Sequence, residues 1–527
     1  MNNPSNFDFT LIGAGIAGAA AILSLLENME NTESTAECWK IAVFDKDPEL
    51  WKGLPYGYRS SSNSLTITTL KEFIPPSERD DFLNWLISNK HHWLKQYATQ
   101  GGVTAKAWIE RNNLNLERDN WEEIFIPRRL FGDFLRDKVA KKIENAEKAG
   151  KVSFSYFTAE VKAIDKKDGI FMVGYEDLSQ LKQIRTQKII LSIGSTPMKS
   201  ITNLQGDSKF IYVNDTYFPS LDKNLQTIEN RLQNNFDAFQ KNHLLILGTN
   251  ASSIELLYLI NGKPELKKCI DQVVVISQSG ILPNRISTDN TESYSFEGLE
   301  SLKKVKHFSS EILYSTIEQD LKIAYLKGVK LGDLYYQIND LIVELLEMLP
   351  DKGKQHFYCE YGLQYSKLIR RSGIDYSDGL DQLRNEKKLT QLKGKYLQLK
   401  KDINNPEQVV LEYEDQGGSV SDYKDSFAIV VNCGGFENLD QTSSPLLKYL
   451  VDNGICTINC TNRGVVVNEN LEACDGFYVI GPLLGGIFNN KARLWHVENA
   501  KSIFSMAKLL SGQFAHDLSK MTTLAVN

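Results

Sequence analysis

The stretch "FDFTLIGAGIAGAAAILSLLEN" (7–28) restricts the fold more than any other part of this chain. Phe7 to Ile12 is a short apolar run with β character, and Ala19 to Leu26 continues as a small-residue helix. Between them Gly13, Gly15 and Gly18 fit G-x-G-x-x-G, with Ile16 and Ala17 inside the motif. The first glycine permits a tight turn, the second lets the backbone approach a pyrophosphate, and the third allows close helix–strand packing. The helix N-terminus then faces the phosphates. After a polar loop, "KIAVFD" supplies a second strand ending at Asp45, followed by Lys46. A carboxylate there can bond ribose hydroxyls. A lone glycine motif says little. Strand, loop, helix, strand and acid arriving in order predict a dinucleotide site built from Gly13, Gly15, Ile16, Ala17, Gly18, Asp45 and Lys46.

At 527 residues the chain exceeds one compact core, which predicts two or three subdomains. Sixty basic residues oppose 66 acidic ones without a basic block, so a nucleic-acid partner is not expected. No apolar run approaches the length needed to span a bilayer. The N-terminus "MNNPSNFDFT" lacks the charged and apolar regions of a secretory signal. Seven cysteines are scattered without disulfide-framework or zinc spacing, and no metal site is expected. Cys456 and Cys460 in "CTINC" are the closest pair and read as small packing residues. No C-x-x-C is present, and the expected location is a reducing cytoplasm.

"HLLILGTNASSIELLYLI" (243–260) repeats the strand-turn-helix outline with changes. Gly248 keeps the first glycine, Asn250 stands where the middle one belongs and Ser253 where the last belongs. Thr249, Ala251 and Ser252 complete the loop, and Glu255 follows. Asparagine tolerates a positive φ, so the turn is feasible. Its side chain narrows the room for a pyrophosphate, while its amide can donate a hydrogen bond to one. The next strand leads to Gln278, with Arg285 the nearest cation beyond it. Two readings stand side by side: a nicotinamide dinucleotide site, or a strand-turn-helix that only scaffolds the first unit. "KIILSIGSTP" (188–197, with Gly194) and "AIVVNCGGFE" (428–437) are strand-then-glycine turns on either side of this unit.

The chain returns late to "GVVVNENLEACDGFYVIGPLLGG" (464–486). There a strand over 476–480 runs into Gly481, Pro482, Gly485 and Gly486, with a helix expected from about Trp495. This resembles the C-terminal flavin-contacting segment of two-dinucleotide-domain flavoproteins, and the two strand-then-glycine turns resemble their interdomain crossovers. With "GLPYG" (53–57), "DFLNWL" (81–86) and "FIPRRLFGDFLRD" (125–137), the chain resembles a bacterial family of FAD/NAD(P)-binding proteins. That family is akin to the N-hydroxylating flavin monooxygenases (ornithine, lysine and aspartate N-hydroxylases). The resemblance implies an α/β fold of two Rossmann-like dinucleotide-binding domains, for FAD and NAD(P), with a helical insert. It divides the chain into an FAD domain with a helical insertion (1–195), an NAD(P) domain (196–285) and a mostly helical insert able to cap a substrate site (286–400). Return strands (401–435) and the C-terminal part of the FAD domain (436–527) follow.

The resemblance further implies FAD at the first loop and NADPH or NADH at the second. Relatives that use NADPH commonly carry an arginine where this chain has Gln278. In the family an arginine followed three and six residues later by aromatics sits beside the FAD domain. Arg128, Phe131 and Phe134 fit, with Arg129 an alternative anchor. The competing reading is a surface arginine on an amphipathic helix whose Phe131, Phe134 and Leu135 face the core. One departure is "SLTITTL" (64–70) in place of a Leu-Leu-Asn-like turn, where Thr66, Thr68 or Thr69 would substitute as the flavin contact.

The activity implied is an FAD-dependent, NAD(P)H-using monooxygenase that hydroxylates an amine or amino acid through a flavin C4a-hydroperoxide. Its partners would be O2 and a small polar metabolite. Such an intermediate must be held away from water, and no protein nucleophile is required. Candidate pocket residues follow the last glycine turn: Phe488, Asn489, Asn490, Arg493 and His496. The amides of Asn489 and Asn490 can bond the flavin edge, and Arg493 can hold a carboxylate. The Arg370–Arg371 pair of the insert reads either as recognition of an acidic substrate or as a solvated helix end. Two other functions fit the same motifs. One is an FAD oxidoreductase with a non-oxygen acceptor, the other a flavin-binding interaction protein with a vestigial second site.

Overall fold

The computed structural model describes residues 5–30, 38–177, 179–201, 204, 210–234, 241–287, 293–497 and 499–525. Residues 1–4 of the N-terminal stretch and most of the polar loop after the first helix (31–37) lie outside them.

The apolar run at the N-terminus is the strand Asn6–Ile12, lying between two parallel neighbours, Trp39–Asp45 and Gln180–Leu191. Val152–Thr158 extends the sheet on one side and Phe477–Val479 on the other, both parallel. An antiparallel pair, Glu160–Lys167 and Ile170–Asp177, leads into Gln180–Leu191. Parallel strands covered on both faces read as continuous apolar runs, and Leu11, Ile41 and Ile190 are accordingly buried. The helix Ile16–Glu30 is buried all along 16–26 and carries Ala19, Ala20 and Ala21 at its centre. A helix apolar on every side needs cover on every side. The C-terminal helix Ala500–Ala525 and the helix Arg128–Lys148 both pack on it, and Phe514 meets Phe9 edge to face at 5.1 Å.

The second unit is an all-parallel sheet in the order Leu389–Lys393, Gln272–Ser277, His243–Leu247, Ile429–Asn432, Ile211–Val213. Its central strand is His243–Leu247, buried at every position. Both sheets therefore place a glycine loop at the end of a central strand, where the connections diverge to the two sides. In open α/β sheets this is where ligands bind.

The helical insert begins at Glu297–Leu302, and its helices end with Ile374–Asn385. Residues 389–393 then join the second sheet as its edge strand, and the antiparallel sheet Lys395–Lys401, Val409–Glu414, Val420–Phe427 leads back to it. Residues 296–369 form a lobe with an apolar core of its own, including Phe296, Leu313, Ile338, Leu345, Phe357 and Tyr365.

Two local expectations are corrected. The last helix starts at Ala500, because residues 487–494 form a small hairpin and Trp495 packs on the lobe. Cys460 is not a packing residue: it forms a disulfide with Cys359 of the lobe, 101 residues away, while Cys456 is buried. Sequence spacing cannot report a bond whose ends only the tertiary fold brings together. Among the described residues no helix is long and apolar enough to cross a membrane.

Candidate dinucleotide sites

Three strand ends of the first sheet lie side by side. Ser192 N–H donates to Ile12 O at 2.8 Å and Ile480 N–H to Leu191 O at 2.9 Å, so the turns after Ile12, Leu191 and Ile480 share one edge. Gly13 has φ +96°, and a Cβ on it would stand 2.5 Å from Ser192 O. A Cβ on Gly18 would run into Gly13 O. Gly481 (φ +93°) rests against Ala17, where an added Cβ would meet the alanine methyl at 3.2 Å. Thus the last glycine turn, which continues into Pro482–Leu484, lies on the first turn of the first-loop helix. Gly15 faces Gly53 of "GLPYG", and Gly194 (φ +82°) faces open space.

Gly13, Gly15, Ile16, Ala17, Gly18, Gly194, Gly481 and Pro482 are thereby drawn together from three parts of the chain. The result is a side-chain-poor backbone cradle at a helix N-terminus, which fits a pyrophosphate. Asp45 closes it at the end of the second strand. Its Oδ2 accepts the Ala14 N–H at 2.6 Å and its Oδ1 the Asp47 N–H at 2.8 Å. Burial raises the pKa of Asp45 above the ordinary carboxylate range, partly opposed by those two hydrogen bonds. Lys46 is exposed at the strand end.

Arg128 is buried, which removes the reading of a surface arginine. It opens the helix Arg128–Lys148, and its guanidinium bonds Glu255 of the second unit and the Tyr217 hydroxyl (3.1 Å). Ser64 and Tyr217 (2.9 Å) also donate to Glu255. Burial is the largest single influence and opposes the charge on Arg128, but Glu255 together with Tyr217, Tyr376 and Tyr56 outweighs it, and the pKa is raised well above the ordinary value. Phe131 and Phe134 are core residues, packed with Tyr56, Phe73 and Phe82. Arg129 holds the carbonyls of Tyr58 and Ser60 and pairs with Asp222 at 3.3 Å. In the departing turn, Thr66 accepts the Ile126 N–H (3.0 Å) and donates to Thr68 O (2.8 Å).

The second loop repeats the geometry of the first. Gly248 has φ +111°, and a Cβ on it would run into Cys433 O, as one on Gly13 would into Ser192 O. Asn250 is the N-cap of the helix Ala251–Asn261 with φ −100°, an extended backbone open to any residue. The tolerance of asparagine for a positive φ is not used here, because the left-handed residue of the loop is Gly248. The Asn250 side chain makes no cap bond to the helix. Ser253 takes the position of Gly18, and its hydroxyl donates to Gly248 O at 2.8 Å. A serine is therefore accommodated by bonding the equivalent carbonyl that a side chain at Gly18 would strike. The Thr249 hydroxyl meets that of Ser277, at the end of the neighbouring strand, at 2.7 Å. Ala251 and Ser252 open the helix. Burial pushes the adjacent Cys433 thiol up to about 12, which leaves it protonated and unreactive at neutral pH.

The pocket candidates sit where the first unit meets the lobe. Asn489 Oδ1 accepts the N–H groups of Lys491 (2.9 Å) and Ala492 (2.8 Å), and its amide donates to Asn468 O at 3.2 Å. Asn490 donates to Glu469 at 2.6 Å. The Arg493 guanidinium lies over the Phe488 ring and pairs with Glu347 of the lobe at 3.1 Å. These bonds occupy groups that the sequence reserved for a flavin edge and a substrate carboxylate. The backbone of His496 runs beside Gly485. Arg371 is buried, bonds Glu72 at 2.6 Å and lies 3.9 Å from the centre of the Tyr335 ring, so it is no solvated helix end.

Residues 10–196 match a family model described as FAD-NAD(P)-binding. An uncharacterised protein of Mycobacterium tuberculosis is 33% identical over 519 residues, which is 98% of this chain and 97% of that protein. The chain belongs to this family of FAD/NAD(P)-binding proteins. Its cofactors are FAD and a nicotinamide dinucleotide, and its fold is that of the N-hydroxylating flavin monooxygenases. The reduced ornithine hydroxylase of Pseudomonas aeruginosa superposes with a TM-score of 0.58 at 13% identity, covering 97% of this chain and 99% of its own. The ornithine N-hydroxylase of Kutzneria sp. 744, solved with reduced FAD, NADP+ and L-ornithine, gives 0.52 at 13% identity with coverages of 97% and 99%.

Sequence reasoning missed three groups. Glu255 was only a letter of the loop motif, and nothing local shows that it meets Arg128. Arg285 was the cation nearest the second loop, but it pairs with Asp378 (2.8 Å) and Asp381 (3.2 Å). Lys393, far along the chain, stands directly across from Ser277 at the end of the adjacent parallel strand. The Cys359–Cys460 bond is the third. Strand pairing and helix packing create all three.

Proposed function

We propose that the protein is an FAD-dependent, NAD(P)H-using monooxygenase that oxygenates a small polar metabolite, an amine or amino acid by preference, in the cytoplasm. The observation that carries this reading is the repeated glycine-loop geometry of two dinucleotide units in one chain, in a fold shared with ornithine hydroxylases. FAD, when bound, supplies the redox chemistry that accepts hydride and meets O2. The chain's own residues do the rest. The turns at Gly13–Gly18, Gly194 and Gly481 hold the pyrophosphate and Asp45 the ribose. Gly248, Thr249, Asn250, Ala251 and Ser252 hold the nicotinamide dinucleotide, and the helical lobe keeps water from the reaction site. Anaerobic stopped-flow mixing with NADH or NADPH, with and without a panel of amines and amino acids, tests this reading. It should bleach the flavin band, and admission of labelled oxygen should put label into an amine. No bleaching with either nucleotide would remove the second site from the reaction. Undiminished turnover under anoxia with another acceptor would replace monooxygenation by a plain oxidoreductase activity.

Two substitutions sharpen the nucleotide assignment. Asn250→Gly keeps the extended backbone and deletes the amide, so KM for NAD(P)H should rise about tenfold, the worth of one hydrogen bond to a charged group. An unchanged KM and flavin reduction rate would mean that this loop does not hold the pyrophosphate. Lys393 is exposed opposite Ser277, where the adenosine ribose would end. Lys393→Ala should weaken NADPH roughly tenfold by the same arithmetic and leave NADH unchanged. Equal effects on both nucleotides would rule Lys393 out as the 2′-phosphate contact.

A further inference from the structure

The lobe over 296–369 is joined to the rest of the molecule at two ends. At one end its entry and exit strands run in parallel, Asn284 beside Arg371 and Arg285 beside Ser372. Asn284 ties the crossing with three bonds, its N–H to Arg370 O at 2.7 Å and its amide to the carbonyls of Leu368 (3.0 Å) and Arg370 (3.1 Å). At the other end the lobe meets the last glycine turn of the first unit. There Tyr358 lies against Phe488 and Trp495 (ring centres 5.3 and 5.2 Å), Glu347 pairs with Arg493, and Cys359 is bonded to Cys460. Between the two ends the lobe has an apolar core separate from the main one. Such a body can open as a unit, since its interior contacts need not break.

Cys460 stands between the two residues that clamp the glycine turn. Asn459 donates to Gly485 O at 2.7 Å, and the Thr461 hydroxyl donates to the same oxygen at 3.4 Å. Thr461 also fills the space that a side chain on Gly486 would need. The disulfide therefore ties the lobe to the segment that shapes this turn. Its Cys460 half is exposed to solvent and its Cys359 half is intermediate, so an external thiol can reach it.

We propose that Cys359–Cys460 is a reducible latch that holds the lobe closed over the first unit, with the 284–286 and 370–372 crossing as the hinge. The reductant is a dithiol, a small molecule or a protein with two vicinal thiols. One of its thiolates attacks the Sγ of Cys460 and displaces the Cys359 thiolate, and its second thiol then resolves the mixed disulfide. Two electrons and two protons pass to the protein, leaving two cysteine thiols and the oxidised dithiol. With the latch reduced, that end loses its covalent tie and is left with non-covalent contacts such as the Glu347–Arg493 pair and the aromatic packing. An exposed ion pair is worth little, so the open population rises. That opening bares the reaction site rests on the function proposed above. The latch itself does not.

The experiment compares amide hydrogen exchange of the full-length protein under oxidising conditions and after dithiothreitol, with thiol alkylation and intact mass reporting the state of the bond. In oxidised wild type both cysteines should resist alkylation. On reduction, exchange in peptides over 310–369 should quicken by about tenfold or more, while peptides over the strand Asn6–Ile12 stay unchanged. Cys359→Ser should exchange at the faster rate with or without dithiothreitol, which separates loss of the latch from other effects of the reductant. Two results would overturn the proposal: free thiols at both positions in protein prepared without reductant, or lobe exchange that is the same in both states. Neither readout needs turnover, so an inactive protein still tests the latch. If the latch holds and no amine is oxygenated, it is the proposed function that fails.

Discussion

Glu255→Ala will lower the unfolding free energy by about 3–5 kcal/mol, the cost of leaving a buried charge without its partner. Arg128 is buried, and one nitrogen of its guanidinium bonds both Glu255 and Tyr217. Without the carboxylate, a charge that cannot readily deprotonate remains in an apolar junction. For a domain of ordinary stability this is a large fraction of the total. Urea unfolding should show it as an earlier midpoint. The double substitution Arg128→Met with Glu255→Leu removes both charges and keeps the volume, so it should recover most of the loss. If the double variant is no more stable than Glu255→Ala, shape rather than charge explains the defect. The functional consequence is separable, because Glu255 lies in the helix that begins at the second loop. In Glu255→Gln, which keeps the shape, flavin reduction by NAD(P)H should slow while FAD content stays near wild type.

Gly13→Ala is expected to abolish FAD retention and destabilise the first unit by about 2–4 kcal/mol, from the left-handed backbone together with steric overlap. Both causes are local. Gly13 has φ +96°, and the new methyl would stand 2.5 Å from Ser192 O, a backbone atom of the neighbouring turn that cannot swing aside. Gly194→Ala is the control. Its φ is +82° but its Cβ would meet nothing within 4 Å, so the backbone term alone, about 1–2 kcal/mol, should appear. Flavin absorbance per protein after purification reads the binding arm, and thermal unfolding the other. Gly248→Ala transfers the test to the second loop, where the methyl would strike Cys433 O. It should eliminate reduction by NAD(P)H while FAD stays bound. Loss of FAD from Gly248→Ala and its retention by Gly13→Ala would reverse the assignment of the two loops.

Much of this was legible in the chain itself, for a physical reason. A glycine at a positive φ, a small residue under a helix and an acid at a strand end are requirements of backbone geometry, and backbone geometry is local. Gly13, Gly18, Asp45 and Gly248 could therefore be read from spacing. Asn250 shows where such reading stops. Asparagine tolerates a positive φ, but the loop places its left-handed residue two positions earlier, at Gly248. Ser253 stands where the last glycine belongs, and its bond to Gly248 O depends on an orientation that no motif states.

Arg128 marks the boundary between the two kinds of information. Its spacing from Phe131 and Phe134 was visible, and so was the conflict between a buried role and a surface one. Only the meeting of two units decided it, by burying a guanidinium against Glu255, 127 residues away in sequence. Asn489, Asn490 and Arg493 follow the last glycine turn in the chain. The fold spends their polar groups on the 468–469 segment and on the lobe, contacts that arise from loop packing and carry no periodicity.

By itself, the sequence determined the two sheets with their glycine loops, the order of the units and the dinucleotide chemistry, because strand, turn and helix signals act over a few residues. The tertiary structure alone decided that the three glycine turns share one edge, that Arg128 and Glu255 join the units, that Lys393 stands beside Ser277, and that Cys359 meets Cys460. Each of those is a contact between residues far apart in the chain. Such contacts are set by how buried faces pack together, and a linear pattern carries no record of that.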